Sequence, residues 1–173
     1  MQKFIGNKKA LGNWGERCVD LWLKGEGWQI LKKNMYFKGG EIDRIYIFKH
    51  PKTAINIYCV SEIKLLTLQR KNSIDFAFSE LHFRKILRFQ QMKNLFYCAE
   101  KINATTLNNS RIYIRVFIVI IGNLSTKNLS ENKIFWEEGK LCTVGRGYCI
   151  FSFQPEFTPQ THGQNRNFMT TGI

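Results

Sequence analysis

The sequence predicts an α/β (α+β) fold: a mixed β-sheet flanked by helices, in the order α-β-β-β-α-β, with a C-terminal extension. Two periodicities carry that prediction. Apolar residues recur at helical spacing over residues 10–24 and 74–102, and runs rich in Ile, Val, Tyr and Phe lie between and after them, bounded by Gly and Pro. A chain of 173 residues that is 44% apolar can bury a core without a disulfide or metal staple.

In the first helix, Trp14, Cys18, Leu21 and Trp22 fall on one face. Asn13 is the expected N-cap, and Gly25 and Gly27 supply the stop. Trp28 to Phe37 reads as a strand ending at Lys38-Gly39-Gly40, where the glycines permit a turn. Glu41 to Lys49 and Ala54 to Lys64 read as two strands joined by the turn-prone His50-Pro51-Lys52-Thr53. Ile74 to Ile102 is expected as one long helix with Phe78, Ile86, Phe89 and Phe96 roughly on one side. Arg111 to Ile121 is a buried strand, interrupted by Arg115 and about half the length of a membrane span.

These elements place a main domain at residues 1–122. Residues 123–153 form an extension in which 130–153 fit a short hairpin carrying Phe135, Trp136, Tyr148, Phe151 and Phe153, and 154–173 read as a disordered tail. The five cysteines are odd in number, scattered, and lack a C-x-x-C pair, so neither a disulfide framework nor a structural zinc site is expected. A reducing cytoplasm suits such a chain. The basic N-terminus lacks the apolar run of a signal peptide.

The net charge is +13, and it is unevenly spread. Residues 1–122 hold 21 Lys and Arg against 9 Asp and Glu, whereas the remainder holds 5 against 4. A basic surface recruits polyanions, chiefly nucleic acid, by displacing counterions. An AT-rich genome would also enrich Lys, Ile and Asn, so charge alone leaves both origins open.

With acids scarce in the first 122 residues, their positions carry information. Period-two alternation puts Asp43 on one face of its strand, and Glu62 and Lys64 together on one face of theirs. A four-residue hairpin pairing Lys49 with Ala54 would set Asp43 opposite Val60, with Glu62 as its diagonal neighbour on the same side. Both carboxylates would then reach one hard cation, Mg²⁺ or Mn²⁺, which takes oxygen ligands and keeps several waters. Lys64 would orient the attacking water or stabilise the developing phosphate charge. Each residue also has a plainer reading. Glu16 falls in the first turn of the expected helix, where the macrodipole favours an acid, Asp43 and Lys64 fit a cross-strand ion pair, and Glu41 fits a solvated position near a turn.

The order of motifs adds to this. Gly12-Asn13-Trp14-Gly15-Glu16 is followed by Gly27-Trp28-Gln29-Ile30-Leu31, Asn34, Gly40-Glu41-Ile42-Asp43-Arg44-Ile45 and Val60-Ser61-Glu62-Ile63-Lys64. Over roughly residues 10–121 this series resembles the YraN-like family of small bacterial proteins. They are regarded as predicted endonucleases of the restriction-endonuclease-like PD-(D/E)XK superfamily, similar to archaeal Holliday junction resolvases. The resemblance implies a restriction-endonuclease-like fold and a metal-dependent endonuclease acting on DNA, branched or damaged DNA included. It implies a helix-borne acid at Glu16, metal-binding acids at Asp43 and Glu62, a metal-binding carbonyl at Ile63 and a catalytic lysine at Lys64, with Glu41 in support. By analogy with resolvases it also implies a homodimer. The chain departs from the family pattern at Leu65 and Leu66 after the lysine, at His82 in place of a lysine, and at Arg115-Val116-Phe117 in the late strand.

For nucleic acid, the expected second helix offers Arg84, Lys85 and Arg88 within one turn, followed by Lys93. This is either a phosphate-contacting strip or a solvated helix face. No base-reading motif accompanies it. Three functions therefore stand: a metal-dependent nuclease on DNA, a non-catalytic nucleic-acid-binding module on the same fold, and an interaction protein using the aromatic segment around Trp136 and Phe151.

Overall fold

The structure, a computed structural model, describes residues 7–37, 40–53, 55–67, 87–106, 110–122, 140–145 and 147–155. Among them are two helices and six strands: α1 (Lys8–Gly25), β1 (Gln29–Phe37), β2 (Gly40–Lys49), β3 (Asn56–Thr67), α2 (Phe89–Thr105), β4 (Ser110–Ile121), β5 (Lys140–Gly145) and β6 (Tyr148–Phe153). The strands form one mixed sheet in the order β1-β2-β3-β4-β6-β5. All neighbours are antiparallel except β3 and β4, which run parallel over their whole length. A parallel pair needs a crossover, and α2 lies on that connection.

The helices cover opposite faces. Against α2 pack Ile42, Ile45, Val60, Val116, Ile118 and Ile120 with Leu95, Cys98 and Ala99 of the helix. Against α1 pack Tyr46, Cys59, Ile63, Phe117 and Val119 with Cys18, Val19 and Leu23. β4 is buried on both sides from Val116 to Ile121 because it lies inside the sheet and under both helices. That explains its unbroken apolar run. The two leucines after Lys64 divide between the layers. Leu65 lies so close to Gly15 of α1 that a Cβ there would come within 2.8 Å of it, and Leu66 packs against the α2 layer. All five cysteines are free, and no helix among the described residues is long and apolar enough to cross a membrane.

Several expectations are corrected. The cap of the first helix lies six residues before the expected Asn13: Asn7 is the N-cap, and its Oδ1 accepts the Ala10 N–H at 2.9 Å. Glu16 is consequently in mid-helix, beyond the reach of an N-terminal dipole argument. Leu21 is 61% exposed, whereas Asp20 beside it is buried. Its partners, described below, replace the water it loses. The single helix expected over 74–102 does not run through Arg88, whose extended backbone is the N-cap of α2 and whose N–H is capped by Gln91 Oε1 at 3.1 Å. Residues 68–86, with Arg84, Lys85, His82, Phe78 and Ile86, lie outside the described residues. Phe89, expected on the buried face, is 60% exposed because the helix turns Leu95, Cys98 and Ala99 inward instead. The C-terminal hairpin exists as β5 and β6, but β6 pairs with β4 and extends the main sheet. Phe135, Trp136 and residues 156–173 lie outside the described residues.

Candidate active site

The site arises where the sheet forks. β2 and β3 pair from Lys49↔Asn56 to Arg44↔Ser61 and then stop. Both strands continue: β2 stays on β1 as far as Gly40↔Phe37, and β3 stays on β4 as far as Thr67↔Ile121. The loop between them spans 50–55, closed by a hydrogen bond from His50 N–H to Ile55 C=O, rather than the expected four residues. The register therefore moves by two positions from the one expected. Asp43 comes opposite Glu62 rather than Val60, one step past the last pair. A shift of two preserves the facing of every side chain, whereas a shift of one would have separated the acids.

Asp43 also closes the fork chemically. Its Oδ2 accepts the Ile63 N–H at 2.7 Å, taking the donor that a continued ladder would have used. A residue's N–H and C=O project to the same side of an extended strand, so the Ile63 carbonyl faces the fork too. Strand alternation breaks at this point. Arg44 reaches toward α1 while Ile42, two residues away, packs under α2. Asn34, between the pairs Lys33↔Arg44 and Met35↔Ile42 on β1, has φ of 47°, a left-handed conformation that asparagine tolerates better than most residues. Gly40 has φ of 148° and leaves no room for a Cβ beside the Asn94 side chain, so α2 approaches the strand closely there.

Glu62 is buried on the α2 side, and its Oε1 accepts from Lys64 Nζ at 2.5 Å and from Gln91 Nε2 at 2.7 Å. The cleft at the fork, about 400 Å³, is lined by Glu16, Asp43, Glu62, Ile63, Lys64 and Arg88, among others. Burial, followed by the charge of Glu62, pushes the Asp43 carboxyl up to about 7, against the pull of the Ile63 N–H and Lys64. Burial also raises Glu62, while Lys64 works the other way. The two acids share a partly desolvated cleft in which each penalises the charge of the other.

Glu16 lines this cleft but is turned to another partner. Arg44, with only 6% of its side chain exposed, donates from Nη2 to Glu16 at 2.7 Å and from Nε to Asp20 at 3.0 Å. Its Nη1 donates to Asn34 Oδ1 at 2.9 Å and to the Asp43 carbonyl at 2.7 Å. Tyr46 adds its hydroxyl to Asp20 at 2.8 Å. Among the described residues no three His, Cys, Asp or Glu side chains close on one point in the manner of a preformed metal cage. A wider cleft of about 660 Å³ between α1 and β1 shares Glu16 with the fork cleft and is also lined by Arg44. Its remaining carboxylate, Asp20, is already taken by Arg44, Tyr46 and Lys33.

Of the residues singled out by sequence, Glu16, Asp43, Glu62, Ile63, Lys64 and Arg88 line one cleft, and Lys93 is exposed on α2. Arg84 and Lys85 lie outside the described residues, and Arg88, preceding α2, does not continue a helical strip into Lys93. Sequence reasoning passed over Arg44 and Gln91. An arginine between two strand positions expected to be apolar was the available signal for the first, whereas nothing local marks the second.

Residues 15–121 match the family described as Uncharacterised protein family UPF0102. The chain is also similar to a UPF0102 protein of Caldanaerobacter subterraneus subsp. tengcongensis, with 43% identity over 44 residues. That match spans 25% of this chain and 36% of the relative's length.

Proposed function

We propose, for a chain that belongs to the uncharacterised protein family UPF0102, the YraN-like family, that the fork between β2 and β3 is the active site of a metal-dependent endonuclease acting on DNA, branched or damaged DNA included. The observation that carries this reading is the juxtaposition of two carboxylates, half-buried Asp43 and buried Glu62, at a point where the sheet opens into a cleft, with Lys64 against one of them. Burial first, and then the charge of Glu62, raises the Asp43 carboxyl, and a divalent cation held between the acids would offset both. The donor set fits Mg²⁺ or Mn²⁺: Asp43, Glu62 and the Ile63 carbonyl are hard oxygens, and such ions complete their shell with water. Bound there, the ion would supply Lewis-acid polarisation of a phosphate and a water acidified toward neutrality.

The chain's own groups have separable parts in this proposal. Glu62 is oriented by Gln91 from α2 and by Lys64, so its position depends on both layers of the fold. Lys64 brings its ammonium to the cleft, where it stabilises negative charge developing on phosphate oxygens. Arg88, at the start of α2, lines the same cleft and would anchor a neighbouring phosphate. Glu16, held by Arg44, acts at the rim through its charge. The excess of basic residues over 1–122 draws the polyanion to the surface, and the free cysteines suit a cytoplasmic setting.

Mn²⁺ titration by calorimetry tests this on the wild type, Asp43→Asn and Glu62→Gln. Binding that either substitution abolishes, together with cleavage of flapped or branched DNA that needs the ion, is the expected result. Binding indifferent to both substitutions would remove the nuclease reading. The ion pair of Glu16 with Arg44 favours a second reading, in which the fold binds nucleic acid without turnover. Ion-independent DNA binding with no cleavage would identify it.

A further inference from the structure

The solvent face of α2 carries a regular series that the cleft does not use. Phe89, Lys93, Tyr97 and Lys101 follow one another at four-residue intervals, so they form a stripe along one side of the helix. Phe89 is 60% exposed and Tyr97 48% exposed, which is unusual for two aromatic rings on one helix face. Each ring has a lysine over it: Lys93 Nζ lies 4.7 Å from the Phe89 centroid and Lys101 Nζ 5.4 Å from that of Tyr97. Phe37 of β1 packs its ring 5.6 Å from Tyr97 and holds it from below. With Arg88, the cations outnumber Glu100, the one acid of α2. The stripe begins beside the cleft, because Arg88 and Gln91 line that cleft and Phe89 lies between them in sequence.

We infer that this face of α2 is a stacking track for unpaired nucleotides, carrying a single strand of nucleic acid to or from the fork. Flat exposed rings bind any base through its π-face, and that face is available only when the base is out of a duplex stack. Lysines set between the rings meet the phosphates that link such bases. Eight residues of helix separate Phe89 from Tyr97 by about 12 Å, more than the roughly 3.4 Å between stacked neighbours, so each ring takes a different base. The inference deepens the proposed function, resting on its nucleic-acid reading and narrowing the substrate to one with a single-stranded portion.

The test is fluorescence anisotropy on the full chain in EDTA, where metal-dependent cleavage is absent. The probes are a labelled 16-nucleotide oligothymidylate and a blunt duplex of equal length. The wild type is expected to prefer the single strand. Phe89→Ala and Tyr97→Leu are each expected to weaken single-strand binding about 5- to 150-fold and to leave duplex binding within twofold. Lys93→Gln is expected to lower the salt slope by about one. Phe89 is the decisive position, since it is the more exposed of the two rings, and a thermal melt of each variant separates lost binding from lost folding. Wild-type affinity in both aromatic variants, or a wild type that prefers duplex, overturns the inference. Ring-dependent binding alongside Mn²⁺ binding that ignores Asp43 and Glu62 would keep the track and remove the nuclease reading. Ring-independent binding with Asp43-dependent Mn²⁺ would do the reverse.

Discussion

Two acidic clusters lie on either side of the same short stretch of β2, and they differ in how their charge is met. On the α1 side, Glu16 and Asp20 share the buried guanidinium of Arg44, and Tyr46 supplies a further donor. Burial, then Asp20, raises the Tyr46 hydroxyl, so it stays protonated and keeps donating. On the fork side, among the described residues, Asp43 and Glu62 accept from Lys64, Gln91 and one backbone N–H, and Asp43 is pushed up to about 7. With Lys33 counted, two carboxylates meet two cations in the first cluster, which holds the fold together. Among the described residues the other meets one cation in direct contact, Lys64, at the wall of a cleft that Arg88 also lines. Two acids close together are therefore weak evidence of a site; two acids whose charge the protein does not itself cancel are stronger evidence.

The contrast predicts unequal responses to mutation. The largest is expected for Arg44→Ala, which strands Asp20 in the interior and releases both Glu16 and the Asp43 carbonyl. Loss of one partner from a buried ion cluster costs about 3–5 kcal/mol, read as a fall in the urea midpoint. A loss under about 1 kcal/mol would mean that the α1-side cluster is not structural and would erase the distinction.

Next in size is the pH response of the fork. Asp43 has an ordinary value of 3.8 and is raised to about 7 in the folded chain. Between these values the folded protein holds a proton that the unfolded chain has released, so stability falls as pH rises through that window. The penalty is complete above pH 7. The slope from this group reaches at most about 1.4 kcal/mol per pH unit. Asp43→Asn is expected to flatten it and to raise the melting temperature at pH 8 relative to wild type. A variant that melts lower than wild type at pH 8 and keeps the slope would show that the fork acids are satisfied after all.

The smallest effect is expected for Lys33→Ala. Lys33 touches the same Asp20 at 3.3 Å, but 55% of its side chain is exposed. Exposed ion pairs contribute about 0.2–1 kcal/mol, so thermal melts of this variant should nearly overlay those of wild type. A cost comparable to that of Arg44→Ala would show that burial is not what separates the two cations.

How far the sequence reached can be judged at particular residues. Strand alternation put Asp43, Glu62 and Lys64 on one side of the sheet, and that facing survived although the predicted pairing was two positions away. The reason is that side-chain direction in a strand depends on parity alone, whereas the paired positions depend on the length of the 50–55 loop. The order of helices and strands was legible for a similar reason, since helical and strand periodicities are local. Glu16, singled out by motif, was wrongly placed in a first helical turn, because Asn7 and Asn13 are equally good caps by residue type. Phe89 read as core because an aromatic residue at helical spacing normally is.

By itself the sequence determined the element order, the parity of the acids, the family, and the concentration of positive charge in residues 1–122. Each depends on residue type and on spacing along the chain. The tertiary structure alone decided that β2 and β3 part after Arg44 and Ser61, that Arg44 claims Glu16 and Asp20, and that Gln91 of α2 reaches Glu62 across 29 positions. These depend on distances between segments far apart in sequence, set by how two helices pack on opposite faces of one sheet. The charge balance at the fork is a sum over all of those neighbours.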